Sequence, residues 1–179
     1  MKNARALCVG AGGLGSSALL YLAGAGIGML GIVDGDKVAP SNLHRQILYS
    51  SQDIGKDKTK AAKKRLQSLN PNVNITIHPE KLKVENALKI MNGYDIVIDG
   101  TDNFTAKYLI NDACFILKKP VVFASVYQFG GYCSVFLPEG PCYRCLYPNP
   151  PKNFIPNCAQ AGVLGHIITH KYPLTLPAQ

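Results

Sequence analysis

The first 34 residues constrain the fold more than any other part of the chain. A short apolar run at residues 5–9 predicts a buried strand, and a glycine-rich turn follows directly at residues 10–15. An apolar helix is predicted at about 16–25, and a second buried strand at 29–33, which ends at Asp34. A strand, a tight turn, a helix and a second strand at this spacing are typical of a βαβ unit with parallel strands.

The next 90 residues continue this alternation. Helices are predicted at 57–69, 84–91 and 105–117, and strands at 73–77, 95–99 and 120–125. After the break at Gly130-Gly131, residues 132–137 predict a strand that pairs antiparallel, and 138–160 have the composition of a loop. We therefore predict an α/β fold of the Rossmann-like, doubly wound type, with a mostly parallel sheet and an antiparallel extension.

Length and composition narrow the class of protein. The chain has 179 residues, of which 47% are hydrophobic and 17% charged, as expected for one globular domain. Its apolar stretches are far shorter than the ~20 residues of a membrane span. The N-terminus has no signal-peptide pattern, so we expect a cytoplasmic protein without a membrane partner.

The net charge of +8 has two interpretations. It is either a solvated basic surface or an attraction for an anionic ligand or an acidic partner protein. The densest basic cluster lies at residues 56–65, where no nucleic-acid motif or interleaved aromatic residue accompanies the charge. We expect no nucleic-acid partner.

The glycine-rich turn predicts a nucleotide site. Glycines at positions 10, 12, 13 and 15 allow a tight turn and a close approach of backbone amides to phosphate, and the helix N-terminus favours an anion. Asp34 follows the next strand, where a carboxylate can accept hydrogen bonds from ribose hydroxyls. Glycines can also serve packing, and Asp34 can serve the turn Asp34-Gly35-Asp36. This pattern alone does not separate ATP from NAD.

The polar segment at 38–46 favours ATP. Arg45 can donate two hydrogen bonds to a phosphate, and Lys58 adds a second positive charge. Two cations beside a glycine turn suit a triphosphate, and an NAD-dependent dehydrogenase does not need them. The alternative is that both side chains lie on the surface.

A second polar turn, 99–103, follows the predicted strand at 95–99. Asp102 can hold Mg²⁺, a cation that prefers oxygen ligands, at the carboxyl edge of the sheet. The alternative is that Asp102 or Asn103 caps the next helix.

Three cysteines could carry further chemistry. Cys142 and Cys145 form a CxxC, which can supply two thiolates to zinc, whereas a structural zinc site needs four ligands. A redox dithiol would favour a CxxC at a helix N-terminus, which this sequence does not indicate. Cys158 is a single loop cysteine whose reactivity the sequence does not show.

These segments together resemble the MoeB/ThiF/HesA family, the bacterial-type relatives of ubiquitin-activating enzymes. The matching segments include VGAGGLGSSALLYLAGAGIG, IVDGDKVAPSNLHRQILY, DIGKDKTKAA, DIVIDGTDNF, GPCYRC and CAQAGV. They cover about residues 5–165. The resemblance implies a ThiF-type ATP-binding adenylation domain at 1–165 and a divergent tail at 166–179.

The resemblance also implies roles for individual residues. Gly13 would contact the phosphates and Asp34 the ribose, with Gly10, Gly12, Gly15 and His44 as further candidates for nucleotide contact. Asn42, Arg45 and Lys58 would bind the phosphates, and Asp102, beside Asn103, would be the essential acidic residue associated with Mg²⁺. Cys142 and Cys145 would be half of a Cys₄ zinc site, and Cys158 would join covalently to a carrier protein.

The implied activity is adenylation of the C-terminal glycine of a ubiquitin-like sulfur-carrier protein that ends in Gly-Gly, and the resemblance offers sulfur transfer as a further step. Molybdenum cofactor biosynthesis, thiamine synthesis and tRNA thiolation share this chemistry, and the family implies a homodimer. We expect this chain to lack two family features, an N-terminal arginine segment and the second CxxC. A non-catalytic fragment that binds nucleotide or carrier is therefore the alternative function.

Overall fold

The computed structural model describes residues 1–127 and 130–150, and in this part the chain forms six strands, five α-helices and two 3₁₀ helices, Pro40–Asn42 and Ser51–Asp53. The strands are β1 (Arg5–Val9), β2 (Met29–Val33), β3 (Asn74–His78), β4 (Ile96–Asp99), β5 (Val121–Tyr127) and β6 (Gly130–Phe136). The helices are α1 (Gly13–Gly24), α2 (Lys58–Leu69), α3 (Val84–Asn92), α4 (Phe104–Leu117) and α5 (Tyr143–Leu146).

All six strands belong to one sheet, in the order β3-β2-β1-β4-β5-β6. Neighbouring strands are parallel except β5 and β6, which are antiparallel, so the predicted mostly parallel sheet with an antiparallel extension is confirmed. The chain runs outward from β1 through β2 to β3, and then returns to the other side of β1 for β4 and β5. The direction of winding therefore reverses between β1 and β4, where open α/β sheets form their ligand crevice.

The strand register aligns the carboxyl ends of the inner strands. Val9 of β1 pairs with Val33 of β2 and with Asp99 of β4. The residues that follow these strands therefore emerge together at one edge of the sheet. This edge holds the glycine turn, Asp34 and the turn at 99–103.

Alternating side chains of the sheet contribute to two cores. Ala6 and Cys8 of β1 pack in the core that contains α1 and α2, whereas Leu7 and Val9 pack in the core that contains α3 and α4. All four side chains are buried, which is why β1 consists of apolar residues on both faces. In the described part of the chain, no helix is long and apolar enough to cross a membrane.

Two local predictions need correction. Helix α1 begins at Gly13, three residues before the predicted start, because the second half of the glycine turn already has helical conformation. The predicted loop after residue 138 contains the short helix α5 (Tyr143–Leu146), which is too short to show helical periodicity in the sequence. Residues 151–179, including Cys158 and the divergent tail, lie outside the described residues.

Candidate functional site

A crevice of about 550 Å³ opens at the carboxyl edge of the sheet, beside the glycine turn. The turn that follows β1 and the turn that follows β4 form its floor, and segments after β2 and β3 close its sides. Most residues predicted for the nucleotide site line this crevice: Gly10, Gly12, Gly13, Asp34, Asn42, Arg45, Lys58, Asp102 and Asn103. The edge of the sheet thus brings together residues that are up to 93 positions apart in the chain.

The glycines of the turn have two different structural roles. Gly10 has a φ of +90°, and a Cβ at Gly15 would lie 1.9 Å from the Gly10 carbonyl oxygen. These two glycines allow the turn to pack against Gly100 of the neighbouring turn, since a Cβ at Gly10 would lie 2.8 Å from the Gly100 oxygen. Gly12 is open towards the crevice, and Gln46 Nε2 is the one atom within 4 Å of a Cβ built there. Gly12 and Gly13 are therefore the positions where a ligand can approach the backbone.

Asp34 supports the turn as well as lining the crevice. Its Oδ2 accepts a hydrogen bond from the backbone N–H of Ala11 at 2.8 Å, and its Oδ1 accepts one from the N–H of Asp36 at 2.8 Å. The predicted turn role is therefore present. Because a carboxylate offers about four acceptor positions, capacity for ribose hydroxyls remains.

Arg45 is nearly buried, with 9% of its surface exposed, and it has no carboxylate partner among the described residues. Its guanidinium donates to Asn42 Oδ1 at 3.0 Å and to the Ser41 carbonyl at 3.3 Å, and it lies 3.3 Å from His44 Nε2. The interpretation of Arg45 as a surface residue is wrong. A desolvated cation without a counter-charge, at the wall of a crevice, favours an anionic ligand.

Lys58 supplies a second nearly buried cation, at 6% exposure. Its Nζ lies 3.4 Å from Asp36 Oδ2, and the exposed Lys81 Nζ lies 3.7 Å from the other oxygen of that carboxylate. Lys58 is the first residue of α2 and lines the crevice. The surface interpretation is wrong for Lys58 as well.

The sequence left open whether Asp102 is a Mg²⁺ ligand or whether Asp102 or Asn103 caps the next helix. Asn103 caps α4, since its Oδ1 accepts a hydrogen bond from the Ala106 N–H at 2.9 Å. Asp102 lines the crevice, and its carboxylate has no hydrogen-bond or ion-pair partner among the described residues. A carboxylate without a partner, in a crevice that also holds two cations, is an oxygen ligand of the kind that Mg²⁺ prefers.

Two predicted residues lie outside the crevice lining, and one further residue belongs to it. Gly15 packs beneath the turn, and His44 is exposed behind Arg45. Gln46 lines the crevice with 4% exposure, and its Oε1 is buried without a hydrogen-bond partner in the described part of the chain. The sequence analysis could have found Gln46 from its place in the polar 38–46 segment. The sequence does not show, however, which side chains of that segment face the crevice.

The CxxC lies apart from the crevice lining and at the start of α5. The Sγ atoms of Cys142 and Cys145 are 3.8 Å apart, and Cys142 is the N-cap residue of that helix, contrary to the sequence prediction. Desolvation raises the pKa of Cys142, but backbone hydrogen bonds from Cys145 and Arg144 lower it, and the net pKa lies below the ordinary thiol value. Asn111 Nδ2 also donates to its Sγ, at 3.9 Å.

The described residues do not complete a zinc site. No group of three or more His, Cys, Asp or Glu side chains able to hold a metal occurs among them. Two thiolates are half of a structural zinc site. Zinc binding therefore stays a prediction that depends on ligands outside the described residues.

Comparison with known proteins adds the family context. The model of the ThiF family matches residues 1–170. The chain is 50% identical over 172 residues to a sulfur carrier protein adenylyltransferase of Thermus thermophilus, covering 92% of this chain and 64% of that protein. It is 49% identical over 169 residues to the adenylyltransferase and sulfurtransferase MOCS3 of Culex quinquefasciatus, covering 93% of this chain and 39% of that protein.

Solved structures show the same fold. The crystal structure of E. coli MccB with AMPCPP and MccA superposes with a TM-score of 0.76 at 28% identity, over 80% of this chain and 43% of that one. MccB with MccA-N7isoASN superposes with a TM-score of 0.84 at 23% identity, over 94% of this chain and 52% of that one. The chain spans less than two thirds of the length of each of these relatives.

Proposed function

This chain belongs to the ThiF family, and on that premise we propose that it uses ATP to adenylate the C-terminal glycine of a ubiquitin-like sulfur-carrier protein. Relatives that are about half identical in sequence are named adenylyltransferases, and one is named for a sulfur carrier protein. The family and these names support the reaction class. The crevice residues support the choice of ligand.

The observation that carries the proposal is the nearly buried Arg45 guanidinium without a carboxylate partner among the described residues. An uncompensated buried cation is costly, and a phosphate oxygen would offset that cost with charge-assisted hydrogen bonds. Lys58 lines the same crevice, and the open backbone at Gly12 and Gly13 lies at the N-terminus of α1. Together they form a polyphosphate site rather than a site for a single charge.

In the proposed reaction, the terminal carboxylate of the carrier attacks the α-phosphorus of ATP. A new bond forms between the carboxylate oxygen and phosphorus, the bond from phosphorus to the β-phosphate oxygen breaks, and pyrophosphate leaves with its electron pair. Arg45 and Lys58 hold the phosphates and neutralise their charge, so that the two anions can meet.

Asp102 is the residue that would hold Mg²⁺, and the ion would supply further neutralisation of the phosphate charge. Asp34 would orient the ribose through oxygens that already fix the turn. Mg²⁺ and ATP fit the side chains of the crevice. The MccB structure with AMPCPP, an ATP analogue, supports the ATP assignment by relationship.

Sulfur transfer and the pathway are finer proposals. The name of the Culex relative includes sulfurtransferase, and we extend that activity to this chain through Cys158, which lies outside the described residues. Molybdenum cofactor biosynthesis, thiamine synthesis and tRNA thiolation are the pathways proposed for the carrier, and a homodimer is the proposed assembly. Loss of sulfur transfer in Cys158→Ala, with adenylation retained, is the expected result.

Exchange of labelled pyrophosphate into ATP tests the central proposal. We expect exchange that requires a carrier ending in Gly-Gly, and a fall of about 10²- to 10³-fold in Asp102→Asn, because charge stabilisation at the phosphates is lost. Asp95→Asn is the matched control, since Asp95 pairs with Arg5 at the opposite edge of the sheet. A folded protein that binds ATP but shows no exchange with any such carrier would disprove the adenylation.

A further inference from the structure

A buried ion pair lies behind the 99–103 turn, outside the crevice lining. Asp99 is the last residue of β4 and is fully buried, and its Oδ2 accepts a hydrogen bond from Lys107 Nζ at 2.5 Å. Lys107 is the fourth residue of α4 and is also buried. Neither side chain lines the crevice, so neither can contact a ligand there directly.

One carboxylate oxygen of Asp99 organises the turn, while the other binds Lys107. Oδ1 accepts hydrogen bonds from the Thr101 backbone N–H at 2.9 Å and from the Thr101 hydroxyl at 2.6 Å. Thr101 immediately precedes Asp102, so the path of the backbone into Asp102 is set by these two bonds. Burial raises the pKa of Asp99, and the Lys107 charge and the Thr101 hydrogen bonds oppose that rise.

Lys107 connects that turn to the next strand. Its Nζ also donates to the Ala124 carbonyl of β5 at 2.8 Å, and it lies 5.6 Å from the centre of the Phe123 ring. One ammonium group therefore joins the end of β4, the first turns of α4 and β5. Asn103 caps the same helix, which ties the other side of Asp102 to α4.

We infer that Lys107, acting through Asp99 and Thr101, is a positioning residue that holds the Asp102 carboxylate at the place where it meets the metal–phosphate group. The inference rests on the proposed function of the crevice. A buried ion pair contributes little net stability compared with apolar residues, so its presence directly behind a free carboxylate points to a positioning role. Groups that orient a metal ligand from behind typically affect metal affinity by about 10- to 100-fold.

Metal binding to the nucleotide complex tests this role without turnover. Mn²⁺ binding would be measured by electron paramagnetic resonance on the full chain with a non-hydrolysable ATP analogue. We expect Lys107→Met to weaken Mn²⁺ binding about 10-fold or more, while the affinity for the analogue without metal stays close to that of the unchanged protein. Arg45 and Lys58, which hold the phosphates, are not part of the Lys107 network.

Lys119→Met is the matched control. Lys119 Nζ also joins backbone carbonyls, those of Asn92 and Tyr94, but at the amino edge of the sheet, before β4. Its loss should lower stability without changing Mn²⁺ affinity. Equal Mn²⁺ affinity in folded Lys107→Met and the unchanged protein would overturn the inference, and so would an equal loss in Lys119→Met.

A second variant covers the case in which Lys107→Met leaves Asp99 charged and fails to fold. The double variant Asp99→Asn/Lys107→Met removes both buried charges and should fold, and we expect the same weakening of Mn²⁺ binding. A folded double variant with unchanged Mn²⁺ affinity would also overturn the inference. If the unchanged protein binds neither the analogue nor Mn²⁺, both the proposed function and this inference fail. If the unchanged protein binds both and the variants bind Mn²⁺ equally well, only this inference fails.

Discussion

At the scale of single residues, the arginine of the crevice differs from two arginines of the exposed surface in its burial and in its partners. Arg5 and Arg144 are exposed, and each is paired with an aspartate at 2.6 to 2.7 Å. Arg45 is nearly buried, and its guanidinium contacts Ser41, His44 and Asn42 without a carboxylate partner among the described residues. Such an arrangement sacrifices stability to keep a cation available for an anion.

Replacement of Arg45 tests this interpretation. We expect Arg45→Met to weaken ATP binding by about 10- to 100-fold, the value of charge-assisted hydrogen bonds, measured by titration calorimetry. Without nucleotide its melting temperature should stay equal or rise, because the buried charge is gone, and the increase that a given ATP concentration produces should be smaller.

Arg5→Met is the control for Arg45→Met. It removes a paired arginine at the far edge of the sheet, so it should cost at most about 1 kcal/mol and leave ATP affinity unchanged. If Arg45→Met bound ATP as well as the unchanged protein, the phosphate-binding role of Arg45 would be wrong.

At the scale of elements, the contact between the β1–α1 turn and the turn after β4 sets the shape of the crevice floor. Gly10, Gly15 and Gly100 meet backbone to backbone, and a Cβ on Gly100 would lie 2.7 Å from the Gly10 oxygen. A side chain at any of these positions would push the two turns apart. The same displacement would move the open backbone at Gly12.

Two alanine substitutions in α1 separate packing from helix propensity. Gly15→Ala would place a Cβ 1.9 Å from the Gly10 oxygen, and we expect a loss of about 1–3 kcal/mol or more in the free energy of unfolding. Gly24→Ala, at the other end of the helix, meets nothing within 4 Å and should gain about 0.5–1 kcal/mol. Urea denaturation measures both, and similar effects at the two sites would refute the close contact.

At the scale of the whole molecule, an aromatic cluster fixes the CxxC segment to the core that contains α3 and α4. Tyr143 of α5 is 1% exposed, and its ring stacks on Phe123 of β5 with a centroid distance of 4.8 Å. Its backbone N–H donates to Asn111 Oδ1 of α4 at 2.9 Å, and Arg144 pairs with Asp112 of the same helix. The chain up to α5 is therefore part of one packed unit with the sheet.

Replacement of the Tyr143 side chain tests whether α5 is part of the same packed unit as the sheet. We expect Tyr143→Ala to lower the free energy of unfolding by about 3–5 kcal/mol while unfolding remains a single transition, because the ring lies in the shared core. Tyr147 is 46% exposed, so Tyr147→Ala should lower the free energy of unfolding much less. If circular dichroism in urea gave similar losses for both variants, α5 would not be an integral part of the core.

The sequence by itself determined the fold class and nine of the residues that line the crevice. Strand and helix periodicity, the glycine turn and the polar residues after the strands are local patterns, and parallel strands carry such residues to one edge. The short apolar runs at β1, β2 and β4 were predicted correctly to within one residue, since a strand buried on both faces needs continuous apolar residues.

Only the tertiary structure decided which residues of a motif face the crevice and which support it from behind. It turned Gly12 towards the crevice and Gly15 against Gly10, and it buried Arg45 without a carboxylate partner in the described part of the chain. It also joined Asp99, through Lys107, to β5. These outcomes depend on the packing of segments distant in sequence, and burial and hydrogen-bond partners exist only once those segments have met.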